Sequence, residues 1–260
     1  MGSIKKVAEI AGVSPSTVSR VMNGTAKVDE KKKKRVLEAI EEIGFVPNEL
    51  ARALLKKTSK IIGVIIPNIE NPFFSELAKS IEKEAYHNGY KILLCNSNDN
   101  TEKEKMNIQM LNQINADGII IMTNSELITN NVINECKIPI VMVDRKLPGG
   151  DEIANIQSDN YKGGRIATEH LIQCGCKNIV CIRNQLEYDS GKQRYKGYRD
   201  ICEEYGIKEQ YIDCKYDYEE GLKAAKMLIK KYPDVDGIIA CNDIVAISTY
   251  KVLIEAGYRV

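Results

Sequence analysis

Apolar residues follow two different rhythms along this chain. Up to residue 45 they recur at three- and four-residue spacing, the mark of short amphipathic helices. Ile4, Val7, Ala8 and Ala11 share one helical face. Val18, Val21 and Met22 share a second, and Val36, Leu37, Ile40 and Ile43 a third. Helices are predicted over 4–11, 15–22 and 29–43. Ser3, Ser14 and Asp29 stand where N-caps are needed, with Pro15 at a first helical position. Gly12 and Gly44 end the first and third.

From residue 61 the apolar residues bunch into short continuous runs. Strands are predicted at 61–66, 91–95, 118–122, 140–143, 153–157, 179–183, 211–214 and 237–241. Their unalternating hydrophobicity suits strands buried on both faces of a parallel sheet. Between them lie helical patterns at 75–88, 102–115, 126–136, 161–174, 192–205, 219–231 and 244–256. Strands alternating with helices mean an α/β fold of open sheets. The body divides near 158–160, with about five strands before that point and three after it. In such sheets ligands bind beyond the carboxyl ends of the strands.

The chain has 260 residues, 43% apolar and 28% charged, which favours two domains and a small extra module. No run approaches the roughly 18 apolar residues of a membrane span. The start lacks a signal-peptide core of roughly 7–15 apolar residues, so a cytoplasmic location is expected. The eight cysteines then read as reduced thiols. The net charge of +1 hides a split. Residues 1–60 carry 13 Lys and Arg against 7 Asp and Glu; the remainder carry 24 against 29. A basic end on an acidic body suggests a nucleic-acid arm on a core with other work.

In the basic end, Ala8, Gly12 and Val18 supply the small residue, turn glycine and core residue of a helix-turn-helix. A two-helix hairpin in any small bundle would share that bare pattern. The second helix would offer Pro15, Ser16, Thr17, Ser19 and Arg20 to a major groove. Arginine suits the guanine edge or a phosphate. Lys31 to Lys34 read mainly as a solvated face. A further segment, 47–56, can form a helix capped by Asn48. It is too short to be stable alone and is expected to fold when packed on something.

In the body, polar groups gather after strands. Asn68, Asn71, Phe73 and Phe74 follow the first, Asp99 the second, Asp144 and Arg145 the fourth, and Asn242 and Asp243 the last. Aromatic faces beside acids and an arginine suit a sugar. Each such residue taken alone is equally at home as a helix cap or loop residue. Only two histidines occur, His87 and His170, and no glycine-rich phosphate loop follows a strand. Cys174-Gly175-Cys176 is too tight for a zinc site. No catalytic residue, cofactor or metal is expected.

The stretch from Val7 to Gly24, VAEIAGVSPSTVSRVMNG, resembles the lactose-repressor (LacI/GalR) family of bacterial transcription regulators almost letter for letter. Residues 61–260 resemble that family's effector domain and the related periplasmic ribose-binding proteins. The resemblance implies a DNA-binding domain over 1–46, a hinge helix and linker over 47–60, and core subdomains over 61–158 and 159–260. It implies that the hinge helices of a dimer pair in the minor groove, with Leu54 as a wedge between base steps. Leu55 stands where relatives often carry a basic residue, and Lys6 where they usually carry an acid. The DNA-facing set is completed by Ser3, Asn23, Lys27 and Asn48.

For the effector, the resemblance implies an aromatic loop at Asn71, Phe73 and Phe74, and an Asp-Arg pair at Asp144-Arg145. It adds Asp159, Arg194 and the pair Asn242-Asp243, and together these point to ribose or a similar monosaccharide. Because family members continue with another strand and a crossover, the second core subdomain is expected to be incomplete. The function that follows is a homodimeric, sequence-specific repressor. Its partners would be a pseudo-palindromic double-stranded operator and a small sugar, with no membrane. Rival classes are a solute-binding protein, an α/β enzyme, or a repressor with a purine or protein co-regulator.

Overall fold

The computed structural model describes residues 3–24, 27–45, 58–122, 136–144, 153–184 and 189–260. The chain divides into two compact units, Met1–Ser59 and Lys60–Val260.

The first unit holds α1 (Ile4–Ala11), α2 (Pro15–Asn23) and α3 (Glu30–Glu42). Ser3 accepts a hydrogen bond from the Lys6 amide, and Ser14 one from the Thr17 amide, both at 3.2 Å. The Asp29 carboxylate accepts from the Lys31 and Lys32 amides. Gly12 takes a left-handed φ of 61°, and its N–H reaches back to Ala8 and Glu9 carbonyls. A side chain there would strain the turn between α1 and α2. The core is small: Val7, Ala8, Ala11, Val18, Val36 and Ala39, with Ile40 and Ile43 packed against it. One expectation fails. Leu37 is 51% exposed, and Ala39 takes the core position instead. Leu37 directly follows Val36, so the 100° step between neighbours turns it off the buried stripe.

The second unit opens with β1 (Ile61–Ile66), α4 (Pro72–His87), β2 (Lys91–Asn96), α5 (Thr101–Gln113) and β3 (Gly118–Ile121). It continues through β4 (Ile140–Val143), β5 (Ala154–Ile156), α6 (Asn160–Gln173) and β6 (Ile179–Asn184). It ends with α7 (Asp189–Glu204), β7 (Tyr211–Cys214), α8 (Tyr218–Lys231), β8 (Gly237–Ala240) and α9 (Asp243–Glu255). The strands form two parallel sheets, ordered β2-β1-β3-β4-β5 and β7-β6-β8. Val64 pairs with Leu94 on one side and Ile120 on the other; Ile182 likewise lies between Ile212 and Ala240.

Each sheet is covered on both faces. Phe74, Leu77 and Ile81 of α4 pack on one face of the first sheet, Ile108 and Leu111 of α5 on the other. In the second sheet, Ala224, Leu228 and Val245 of α8 and α9 take one face. Tyr195, Tyr198 and Cys202 of α7 take the opposite face, joined by Leu171 and Ile172 of α6. Central strands β1 and β6 are accordingly buried along most of their length. The expectation of two-sided burial does not hold at the edges. All three residues of β5 are exposed, and burial along β7 alternates. An edge strand lacks a neighbour, and hydrophobic sequence cannot bury it.

The predicted helix at 126–136 and the hinge segment at 47–56 fall almost entirely outside the described residues. No described helix is long and apolar enough to cross a membrane. All eight cysteines are unpaired thiols, five of them buried. Burial pushes the Cys241 and Cys214 thiols up to about 12. Such thiols stay neutral and serve as small apolar side chains.

Candidate functional site

A doubly wound sheet leaves a crevice where adjacent crossovers go to opposite faces, beyond the carboxyl ends of the strands. In the first sheet that point lies between β1 and β3, in the second between β6 and β8. One cavity of about 170 Å³ is bounded by residues from both places. From the first sheet come Asn71, Phe73 and Phe74 after β1, Asp144 after β4, and Ser158 after β5. Asn160 opens α6; Ser190 and Arg194 stand on α7; Tyr216 follows β7; Asn242 and Asp243 follow β8.

Local chemistry fixes each of these. Asn71 caps α4, accepting from the Phe73 amide at 3.1 Å, and Pro72 occupies the first helical position. The helix therefore starts three residues before the periodicity suggested. That start puts Phe73 and Phe74 in its first turn, edge to face with ring centres 5.1 Å apart. Phe74 is buried in the sheet core and Phe73 is half exposed at the cavity. Asp144 adopts a left-handed φ of 69°, while its amide donates to the Ile156 carbonyl at 2.8 Å. Aspartate tolerates that conformation better than most residues, and such backbone strain concentrates at ligand sites.

Arg194 ties three elements together. Its Nε donates to the Ser190 carbonyl at 3.2 Å and its Nη1 to the Cys241 carbonyl at 2.7 Å. Its Nη2 donates to the Tyr216 hydroxyl at 3.3 Å. Asn242 caps α9, its Oδ1 accepting from the Val245 amide at 2.9 Å. The Nδ2 of Asn242 is buried with no hydrogen-bond partner, although the residue lines the cavity. A buried donor without an acceptor is costly, and a bound ligand oxygen would satisfy it.

Of the residues the sequence nominates, Asn71, Phe73, Phe74, Asp144, Arg194, Asn242 and Asp243 meet at this cavity. Asp159 does not line it. Its carboxylate caps α6 by accepting from the Lys162 amide at 2.9 Å. Its neighbours Ser158 and Asn160 line the cavity instead. Arg145 lies outside the described residues. Ser190 and Tyr216 are not among the residues the sequence nominates. Both follow strands, and extending the strand-end rule to hydroxyls after β6 and β7 would have found them.

On the helical unit, Pro15, Ser16 and Arg20 are exposed on α2. Thr17 is partly engaged, its hydroxyl 2.9 Å from that of Ser14. Ser19 accepts from Asn23 Nδ2 at 3.2 Å, and the Oδ1 of Asn23 is buried without a partner. Ser3 serves as the cap of α1, and Lys27 is exposed. Asn48 and Leu54 lie outside the described residues. Lys31 to Lys34 are exposed, with Lys33 3.6 Å from Glu30 and Lys34 3.9 Å from Glu38. Among the described residues no group of three or more His, Cys, Asp or Glu could hold a metal ion.

Known proteins match both units. Residues 3–48 match the bacterial regulatory proteins of the lacI family, and residues 62–260 match the periplasmic binding protein domain. The ribose operon repressor of Halalkalibacterium halodurans is 36% identical over 260 residues, all of this chain and 77% of that protein. A periplasmic binding protein/LacI transcriptional regulator from Alkaliphilus metalliredigens QYMF, solved with D-xylulofuranose, is 32% identical with a TM-score of 0.68. That match covers 77% of this chain and 74% of that one. The Lac repressor dimer bound to operator and the anti-inducer ONPF shares the fold, at a TM-score of 0.87 and 24% identity. It covers all of this chain and 79% of that one.

Proposed function

This chain belongs to the lacI family of bacterial regulatory proteins, and we propose that within it the chain is a homodimeric repressor tuned by a ribose-like monosaccharide. It is a DNA-binding regulator with a small-molecule effector, not an enzyme. In the proposed division of labour, residues 1–46 read a half-site and residues 47–60 form the hinge. Lobes 61–158 and 159–260 hold the effector. A two-fold dimer reads a pseudo-palindrome, and the protein works in the cytoplasm beside its operator. Arg20 and its exposed neighbours on α2 face the major groove, and Leu54 wedges the minor groove.

The observation that carries the sugar reading is the cavity lining. Two carboxylates, Asp144 and Asp243, line the same space as the amides, the hydroxyls and the rings of Phe73 and Phe74. Carboxylates and amides take up the hydroxyls of a polyol, while the rings cover its C–H faces. The volume is close to that of an engineered cavity of roughly 150 Å³ that admits a single benzene ring. A phosphorylated ligand fits less well. Arg194, the cation among the described lining residues, already donates to two carbonyls and a hydroxyl. Two relatives support a five-carbon sugar: one is named for ribose, the other was solved with D-xylulofuranose.

Thermal unfolding with a ligand panel tests the reading. A ligand at 100 times its Kd adds about 2.7 kcal/mol, a readily seen shift. D-Ribose or another free monosaccharide is expected to raise the midpoint. A rise only with a sugar phosphate or a purine base contradicts the sugar assignment.

A further inference from the structure

We infer that Gly164 is a positioning residue for the effector cavity, setting the place of Arg194 without touching ligand; the inference rests on the sugar reading above. Gly164 is buried on α6, directly against the backbone of Arg194 on α7. A Cβ at 164 would run into the Arg194 carbonyl oxygen, and would stand 2.8 Å from its carbonyl carbon and 3.0 Å from its Cα. The contact is reciprocal. A Cβ at Gly197, one turn along α7, would meet the Tyr161 carbonyl and lie 2.7 Å from the Arg165 amide. The two helices therefore meet backbone to backbone, and neither side has a flexible side chain to give way.

Side chains lock the same pair. Tyr161 donates to Asp200 at 3.0 Å, and Arg165 forms a two-pronged pair with Glu204 at 2.7 and 2.9 Å. Asn160, Ser190 and Arg194 thus ride on one joined body. Moving its backbone shifts all three against Asp144 and Phe73 on the opposite wall. The neighbouring glycine provides an internal contrast. Gly163 is exposed, and a Cβ there would meet nothing within 4 Å. A second support lies on the far side of Arg194. A Cβ at Gly191 would come 2.9 Å from the Tyr216 hydroxyl that receives Arg194 Nη2.

The test is D-ribose binding to the full chain by calorimetry, with unfolding recorded alongside. Gly164→Ala is expected to raise the D-ribose Kd at least about tenfold, as misplacement of a binding group by an ångström would. Gly163→Ala should stay within about twofold of wild type. Gly63→Ala, on β1 of the first sheet, crowds Leu111 of α5 and should lower the melting midpoint while leaving the Kd in place. That variant separates lost position from lost stability. A wild-type Kd for Gly164→Ala, with Arg194→Ala unable to bind, overturns the inference and leaves the cavity assignment standing. A wild-type protein that binds no free monosaccharide, or an Arg194→Ala variant that binds the sugar normally, removes the cavity assignment and the inference with it; should another monosaccharide bind in place of D-ribose, the same variants are read with that sugar. Should Gly164→Ala fail to fold, Gly191→Ala decides the matter: a raised Kd supports positioning through Arg194, and an unchanged one overturns it.

Discussion

The two units of this chain make their proposed recognition surfaces in opposite ways. On the helical unit the exposed face of α2 is a single stretch, with Pro15, Ser16 and Arg20 within six residues of one another. On the α/β unit the cavity gathers residues from Asn71 to Asp243, drawn from strand ends in both sheets. The first surface needs only one well-capped helix held on a small core of Val and Ala. The second needs two sheets to be complete before any of its chemistry comes together. Damage to one unit should therefore spare the other unit's ligand, and the cavity should be sensitive to changes far from it in sequence.

The largest effect tests that separation. Val36 is fully buried at the centre of the helical core. Val36→Asp buries an unpaired charge and should cost more than about 4 kcal/mol, unfolding that unit. Duplex binding should vanish while D-ribose binding stays at its wild-type Kd; joint loss of both would break the comparison. Asp144→Ala removes a charged acceptor and should cost about 1.5–3 kcal/mol of D-ribose affinity, read by calorimetry, with duplex binding in the absence of sugar unaltered. Arg20→Ala should cost about 1–3 kcal/mol of affinity for a selected duplex in a titration, and leave D-ribose binding alone.

A smaller contrast comes with alkali, because all eight cysteines lie in the α/β unit. The folded state holds the Cys241 and Cys214 thiols at about 12, against an ordinary value of 9.0. A raised thiol pKa means the unfolded chain gives up protons first. Stability is then whole below about pH 9 and falls as pH climbs toward 12. Calorimetric melts should show that decline in the transition of the α/β unit, and Cys241→Ala should reduce its slope. The smallest effect belongs to Leu37, exposed on α3, where Leu37→Ser should move the melting midpoint by no more than about 0.5 kcal/mol equivalent.

The same contrast decides which features are legible in the amino-acid sequence. The helices of the first unit announce themselves through Ser3, Ser14 and Asp29 as caps and Gly12 as a turn, because capping is local chemistry. The alternation of strand and helix is equally legible, since β1 and β6 carry runs of Ile and Val that no loop would. Burial at the sheet edges is not. Whether Ile156 has a neighbour depends on strand order, and order is set by crossovers that no window of sequence contains. The cavity shows both cases. Asn71 and Asn242 are visible as strand-end polar residues and turn out to be caps as well. Asp159, nominated only by the family resemblance, has its carboxylate turned to its own helix, and Ser158 and Asn160 line the space. A capping side chain and a ligand-facing one look alike until the first turn of the helix is oriented. Ser190 and Tyr216 also follow strands, but a strand-end rule widened to hydroxyls would nominate many residues with ordinary uses besides these two.

What would join the two units is control, in which a monosaccharide in the α/β cavity changes the hold of the helical unit on DNA. Control of that kind requires unequal sugar affinity in the two DNA-binding states, and coupling of 1–3 kcal/mol, about 5–150-fold, is typical. It is measured by titrating a pseudo-palindromic duplex, selected by this protein from a random pool, with and without saturating D-ribose at one fixed salt concentration. The expected result is a duplex Kd shifted by at least about fivefold, with the shift absent in Arg194→Ala. An identical duplex Kd with D-ribose demonstrably bound would mean that the sugar does not control the protein's grip on DNA.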